Sequence, residues 1–154
     1  MPGVLIRRPD TIGFFGSDTF GELDENQSSQ LEFEPVIQTE IRFALGGLST
    51  EVKRIRQVIS SGGDLVIATS YPRQARRIAN TLGFYLSDVI ELGGSVEAAP
   101  YILREVDAII DVVDSGQTLK ENNLSVVADN LGKLAIGAIW RKYPGSNKDI
   151  EEIL

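Results

Sequence analysis

The sequence predicts an α/β protein built from βαβ units around a mainly parallel sheet, and three observations carry that expectation. Short apolar runs alternate with helical periods between Leu65 and Val113: strands at Leu65-Val66-Ile67-Ala68, Val89-Ile90-Glu91-Leu92 and Ala108 to Val113, with helices over 72–82 and 97–104 between them. Repeats of that length are what a parallel sheet with crossover helices requires. The first of these helices sets Ala75, Ile78, Ala79 and Leu82 at i, i+3, i+4 and i+7, one apolar stripe, and turns Arg73, Arg76 and Arg77 outward. The loops Thr69-Ser70-Tyr71-Pro72, Gly93-Gly94-Ser95 and Asp114 to Thr118 are small and polar and all follow a strand and precede a helix. Ligands bind beyond those strand ends in open parallel sheets, so a shared edge of three such loops predicts a pocket.

A chain of 154 residues suits one domain, or two small lobes joined by crossing strands. With 22 acidic and 15 basic residues the net charge is −7, which argues against a general nucleic-acid binder, since counterion release needs a basic face. The charge is unevenly distributed: Phe14 to Ile41 has seven acidic residues and no Lys or Arg, whereas Lys53, Arg54, Arg56, Arg73, Arg76 and Arg77 cluster in the middle. Cysteine and histidine are both absent, so any chemistry rests on carboxylates, Lys, Arg, Tyr or positioning. No run of 18 apolar residues exists and Met1 to Arg8 has no signal-peptide core, so a cytoplasmic protein without membrane partners is expected.

Taken in order, Val4-Leu5-Ile6 reads as a short strand and Thr11 to Phe15 as a second apolar run. Gly16-Ser17-Asp18 can cap a short helix through Leu23, and Asp24 to Gln30 reads as a polar loop. Leu31 to Ile37 alternates imperfectly, and Thr39 to Leu45 alternates well, with Ile41, Phe43 and Leu45 on one face, before Gly46-Gly47 ends the strand. Ser49 or Thr50 caps a helix over 51–60 that buries Val52, Ile55, Val58 and Ile59, leaving Lys53, Arg54 and Arg56 on a solvated face. Pro100 places the start or a kink of the later helix near itself. Beyond Leu119 a strand over 124–128 is followed by a helix burying Leu131, Leu134, Ala135, Ala138 and Ile139, and Ser146-Asn147-Lys148-Asp149 opens a terminal turn.

The strongest site signal is Asp111-Val112-Val113-Asp114-Ser115-Gly116-Gln117-Thr118-Leu119, where a buried strand runs into a loop of small hydrogen-bonding residues. Gly116 lets backbone approach a ligand, the loop's N–H groups can converge, and Ser115 and Thr118 add hydroxyls, which suits a phosphate. Asp111 and Asp114 would repel phosphate and suit sugar hydroxyls, or a divalent ion shared with a phosphorylated ligand. Such residues also make ordinary turns. Their combination points to a phosphorylated sugar.

Three ordered stretches, 67–72 (Ile-Ala-Thr-Ser-Tyr-Pro), 91–100 (Glu-Leu-Gly-Gly-Ser-Val-Glu-Ala-Ala-Pro) and 107–122 (Asp-Ala-Ile-Ile-Asp-Val-Val-Asp-Ser-Gly-Gln-Thr-Leu-Lys-Glu-Asn), resemble ATP phosphoribosyltransferase, the first enzyme of histidine biosynthesis. Weaker similarity reaches 12–18, 41–44 and the carboxyl-terminal region. The resemblance implies a two-lobed fold like that of periplasmic binding proteins, with 1–45 and 120–154 as a truncated first lobe and 46–119 as the second. It implies transfer of phosphoribosyl from phosphoribosyl pyrophosphate, with Mg²⁺, to N1 of ATP. Ser115, Gly116, Gln117, Thr118 and Leu119 would hold the ribose 5-phosphate, and Asp111 and Asp114 the ribose hydroxyls. Ser17, Asp18, Thr69, Ser70, Ser95 and Glu97 are expected as cleft contacts. The resemblance assigns no catalytic side chain, and no metal ligand from the protein is expected. Met1 to Asp10 does not match the family's amino-terminal strand and basic turn, and the long-form regulatory domain has no counterpart. The expected partners are a second copy of the chain or a regulatory subunit resembling histidyl-tRNA synthetase. The alternative is a non-catalytic phosphoribosyl-ligand-binding or regulatory module.

Overall fold

The computed structural model describes residues 2–8, 11–94, 96–102 and 104–142. In chain order the elements are α1 (Pro2–Arg7), β1 (Gly13–Gly16), α2 (Ser17–Gly21), α3 (Glu25–Ser28), β2 (Leu31–Leu48), α4 (Val52–Ser60), β3 (Asp64–Thr69), α5 (Pro72–Leu82), β4 (Tyr85–Glu91), α6 (Ala99–Ile102), β5 (Ala108–Val113), α7 (Gln117–Glu121), β6 (Leu124–Ala128) and β7 (Lys133–Arg141). The chain clusters into two compact units, 1–39 with 134–154, and 40–133. The turn and strand after Leu119, expected with the first lobe, cluster with the second unit because β6 pairs with the carboxyl-terminal half of β2 and α7 packs against β6.

In the unit of residues 40–133, β3 is flanked by β4 and β5, both parallel to it, and this is the βαβ core the alternation predicts. The sheet as a whole is mixed, not mainly parallel, since β2 meets both β5 and β6 in antiparallel register. Pro72 at the start of α5 and the left-handed Gly83 at its end, φ 80°, bound that helix as the sequence implies. Leu45, Leu65, Ile67, Ala68, Ile109 and Ile110 are fully buried. A second set, Ala44, Val96, Ala99, Val106, Val113, Leu119 and Leu124, continues this core to the end of β5, where the loop of interest begins.

Gly46 and Gly47 do not end β2. They lie inside it because a side chain at Gly47 would collide with Cδ1 of Ile55, the buried contact that α4 makes with the sheet. Neither Ser49 nor Thr50 caps α4. The Ser49 hydroxyl donates to the Asn123 carbonyl at 2.8 Å, tying the end of β2 to the start of β6. Nor is the basic face of α4 merely solvated: Arg54 bridges Glu51 and Asp107, and Arg56 donates to the carbonyls of Val126 and Val127 on β6. Ion pairing fixes the first, and shielding of an edge strand's carbonyls accounts for the second. α6 begins one residue before Pro100, so the helix expected from 97 starts at Ala99, and it is described over Ala99–Ile102.

In the unit of residues 1–39 and 134–154, β7 lies between β1 and β2. Three expectations are overturned there. Val4-Leu5-Ile6 is helical, within α1: Leu5 alone of the three is buried and packs against Gly13, where the missing Cβ leaves room. Asp24 to Gln30 contains α3, whose first turn is held by the Asp24 carboxylate accepting from the Gln27 N–H at 2.8 Å. Leu134, Ala135, Ala138 and Ile139 belong to strand β7, and Leu131 precedes it. That stretch is apolar on both parities, a pattern that suits a strand covered on both faces as well as a helix. Gly137 shows which applies: a Cβ there would sit 2.5 Å from the Glu34 carbonyl and from the Phe33 ring. The terminal turn expected from Ser146 lies outside the described residues.

Candidate functional site

β5 delivers the site. Ala108, Ile109 and Ile110 are fully buried and fix the strand, and Asp111 then emerges half-buried with its Oδ1 accepting from the Val112 N–H at 2.8 Å. Asp111 lines a small pocket of about 90 Å³ with Glu97, Asp114, Ser115, Gly116, Thr118 and Leu119. Burial pushes the Asp111 carboxyl up to about 6, and the nearby charge of Glu97 adds to the effect. Glu97 is buried although ionisable. The pocket therefore presents carboxylate oxygens as hydrogen-bond acceptors on one side and a small polar loop on the other.

The loop has one residue in a left-handed conformation. Gly116 sits at φ 74°, ψ 12°, with open space where a Cβ would stand, so it is glycine for its backbone and its openness and not for packing. It caps α7, the helix expected after this loop, which starts at Gln117 and whose first-turn N–H groups have no partner inside the helix. Ser115 Oγ accepts from the Gln117 N–H at 3.3 Å, tightening the turn. The Gln117 amide reaches along α7 to Glu121 Oε1 at 2.8 Å. Thr118 is exposed, whereas Leu119 is buried and anchors the loop in the core. Asp111, Asp114, Ser115, Gly116 and Thr118 are thus brought together around one pocket, with Leu119 holding them from beneath.

Of the other expected contacts, Thr69, Ser70, Ser17 and Asp18 do not line this pocket. Thr69 is fully buried; its hydroxyl donates to the Ile110 carbonyl at 2.6 Å and accepts from the Tyr71 N–H at 2.9 Å, stapling β3 to β5 at the start of α5. The Ser70 hydroxyl donates toward the carbonyls of Leu92 at 2.6 Å and Gly94 at 3.2 Å. Glu97 joins the Asp111 pocket. Ser17 belongs to the other unit, where its Oγ accepts from the Ala135 N–H at 3.0 Å, and Asp18 folds its carboxylate back against Gly16. Ser95 lies outside the described residues. Among the described residues no group of three or more acidic residues is placed to hold a metal ion, and no helix is long and apolar enough to cross a membrane.

The sequence reading passed over Arg42 and Asp129. Arg42 Nε and Nη2 make a two-bond fork on Asp129, at 2.8 and 2.9 Å, and Nη1 donates to the Asp114 carbonyl at 2.6 Å. The fork raises Arg42 above its ordinary range and holds Asp129 below the usual carboxylate range. The signal available was a lone arginine in an alternating strand, Ile41-Arg42-Phe43, where the residues on either side are apolar.

Comparison with known proteins covers this whole region. The family model described as ATP phosphoribosyltransferase matches residues 4–153. The ATP phosphoribosyltransferase of Clostridium kluyveri is 36% identical over 136 residues, spanning 82% of this chain and 58% of that protein, so the chain spans less than two thirds of that relative. In structure the chain is similar to a chain of the ATP phosphoribosyl transferase (HisG:HisZ) complex from Thermotoga maritima, with TM-score 0.66 and 30% identity over 99% of this chain and 68% of that one. An ABC-transporter binding component from Wolinella succinogenes complexed with lysine gives TM-score 0.61 at 15% identity, covering 99% of this chain and 64% of that one, which shows a shared binding-protein fold and nothing of ligand. The residues matched include the β5 strand end and its loop, and the chain belongs to the ATP phosphoribosyltransferase family.

Proposed function

We propose that this chain holds phosphoribosyl pyrophosphate at the end of β5 and presents its anomeric carbon to ATP, the reaction being transfer of phosphoribosyl to N1 of the adenine ring with release of pyrophosphate. The observation that carries the reading is the pocket itself: two acidic side chains, Asp111 and Asp114, flank a glycine-hinged loop that lies within the family match. Hydroxyls on adjacent ribose carbons donate to carboxylates, and the 5-phosphate accepts from the loop's N–H groups and from the Ser115 and Thr118 hydroxyls. Leu119 supports that loop from the core. Because pyrophosphate departs readily, positioning and charge stabilisation suffice for such a displacement, and neither histidine nor cysteine is needed. Mg²⁺ would arrive on the pyrophosphate oxygens, as is usual where a protein supplies at most one or two carboxylates to that ion, and it would neutralise the leaving group's charge.

A second reading of the same pocket is ligand binding without turnover. A regulatory subunit is proposed as the partner, because the Thermotoga chain was solved in a HisG:HisZ complex. The setting proposed for both readings is the cytoplasm. Titration calorimetry with phosphoribosyl pyrophosphate and Mg²⁺, followed by ATP and an assay for pyrophosphate, tests the proposal. Binding with release supports the enzyme, binding without release supports the second reading, and no binding sinks both.

A further inference from the structure

We propose that Arg42 is a positioning residue that fixes the backbone of the 114–119 loop, with Asp129 as its brace; its bearing on ligand binding rests on the reading of that loop given above. β2 runs antiparallel to β5 with Arg42 opposite Val113, the last residue of β5. From that position the guanidinium reaches past the strand end to the Asp114 carbonyl, the first carbonyl of the loop. A single backbone hydrogen bond would leave a long side chain free to swing. Here the remaining edge of the guanidinium is locked on both Asp129 oxygens, and Asp129 Oδ1 is itself fixed by accepting from the Asn130 N–H at 2.7 Å. Asn130 adopts φ 56°, so the turn that carries Asp129 is set by a residue suited to the left-handed region.

The arrangement uses what arginine has and lysine lacks, a planar fork with donors on two sides. The pair lies at the surface, with side-chain exposures of 22% and 33%, so its hold on the loop comes from the geometry of three bonds and not from burial. Arg42 further lines a hollow of about 300 Å³ on the flank of the loop, with Ser115, Gly116 and Lys120. The loop is thereby held at three points: Leu119 in the core, the Ser115–Gln117 turn within, and Arg42 at its root.

The test begins without ligand. In amide hydrogen exchange followed by NMR, Arg42→Gln and Arg42→Lys should each accelerate exchange at the hydrogen-bonded loop amides of Gln117 and Lys120 by about tenfold beyond any change at the core amides of β3. Asp129→Asn should act in the same direction, and should add nothing in the Arg42→Gln background. Loop amides that exchange as in the parent overturn the proposal. Two variants at Arg42 and one at Asp129 guard against a single substitution that fails to fold. Affinity for phosphoribosyl pyrophosphate with Mg²⁺ is then measured on the same samples, and should fall about tenfold for Arg42→Lys if a fixed loop is what the ligand meets. Accelerated loop amides together with a parent chain that binds no phosphoribosyl pyrophosphate would uphold Arg42's role and sink the ligand assignment, so the two failures are distinguishable.

Discussion

The loops that follow β3 and β5 are built from the same small polar residue types and begin at the ends of neighbouring parallel strands, yet the structure uses them in opposite ways. After β3, the hydroxyls of Thr69 and Ser70 already donate to backbone carbonyls of β5 and of the segment after β4. After β5, Ser115 and Thr118 are exposed, Gly116 faces open space, and a half-buried carboxylate stands beside them. A polar loop becomes a candidate site when its groups are not already committed to holding the fold. Substitutions in the two loops should therefore separate cleanly, those after β5 reducing ligand affinity and those after β3 reducing stability.

The largest effect is expected at Gly116. Aspartate there finds open space and is strained only by the left-handed backbone, which its type tolerates better than most, so the melting temperature of Gly116→Asp should fall by only a few degrees. Its charge would face the phosphate, and affinity for phosphoribosyl pyrophosphate should fall by more than about 100-fold, equivalent to roughly 3 kcal/mol. Titration calorimetry reads the affinity and a circular-dichroism melt the melting temperature. Unchanged affinity would reduce the loop after β5 to the same status as the loop after β3.

Thr69→Val gives the converse. The substitution keeps the shape and removes a fully buried hydroxyl, leaving the Ile110 carbonyl and the Tyr71 N–H without that partner, at a cost of about 1–3 kcal/mol. Urea titration followed by circular dichroism should show it. Tryptophan fluorescence is the wrong probe, since the single tryptophan, Trp140, lies on β7 in the other unit. Ligand affinity at saturating stability should stay within about threefold.

Why the shape of one loop was legible and the bonding of the other was not follows from the range of the interactions involved. The βαβ core could be read because its signals are local: apolar strand runs, the stripe of α5, Pro72 and Gly83. The turn after β5 could be read for the same reason, since Gly116 and Ser115 shape it through their own backbone. Thr69 could not, because its partner Ile110 lies 41 residues along the chain. Arg42 could not, because Asp129 lies 87 residues away and nothing near either residue marks the pair. β7 was misread because Leu134 to Trp140 satisfies both periodicities, and Phe33 and Glu34, which press on Gly137, come from a distant strand. Gly46 and Gly47 were misread as a terminus because the helix residue that requires a bare backbone there, Ile55, is visible only once α4 packs.

Asp111 tests the comparison through pH. Its folded-state value of about 6 lies above the unfolded value of 3.8, so between these limits the folded chain binds more protons and stability falls as pH rises. With allowance for partial solvent screening the loss is about 1–2 kcal/mol, fully developed above pH 6. Asp111→Asn should remove this contribution, so that its melting temperature exceeds the parent's by more at pH 7 than at pH 4. If sugar hydroxyls bind the ionised form, the parent's affinity for phosphoribosyl pyrophosphate should strengthen about tenfold from pH 5 to pH 7 beyond the change shown by the variant. The ligand's own phosphate titration is common to both proteins and cancels. Parallel pH profiles would place Asp111 outside the ligand contact.

Ser70→Ala is the smallest change and the sharpest discriminator, because Ser70 was expected at the ligand and is seen instead to bond the Leu92 and Gly94 carbonyls. Unlike Thr69 it is not fully buried, so water can replace the lost donor in part. The expected cost in stability is about 0.5–1.5 kcal/mol, the net worth of an ordinary hydrogen bond, with affinity for phosphoribosyl pyrophosphate changed less than about twofold. The urea midpoint and the calorimetric dissociation constant are measured on one preparation. A tenfold loss of affinity with an unmoved midpoint would mean that the serine turns toward the ligand on binding, and the division between a holding loop after β3 and a binding loop after β5 would fail at that residue. A lowered midpoint with unchanged affinity would extend the division to both hydroxyls of the β3 loop.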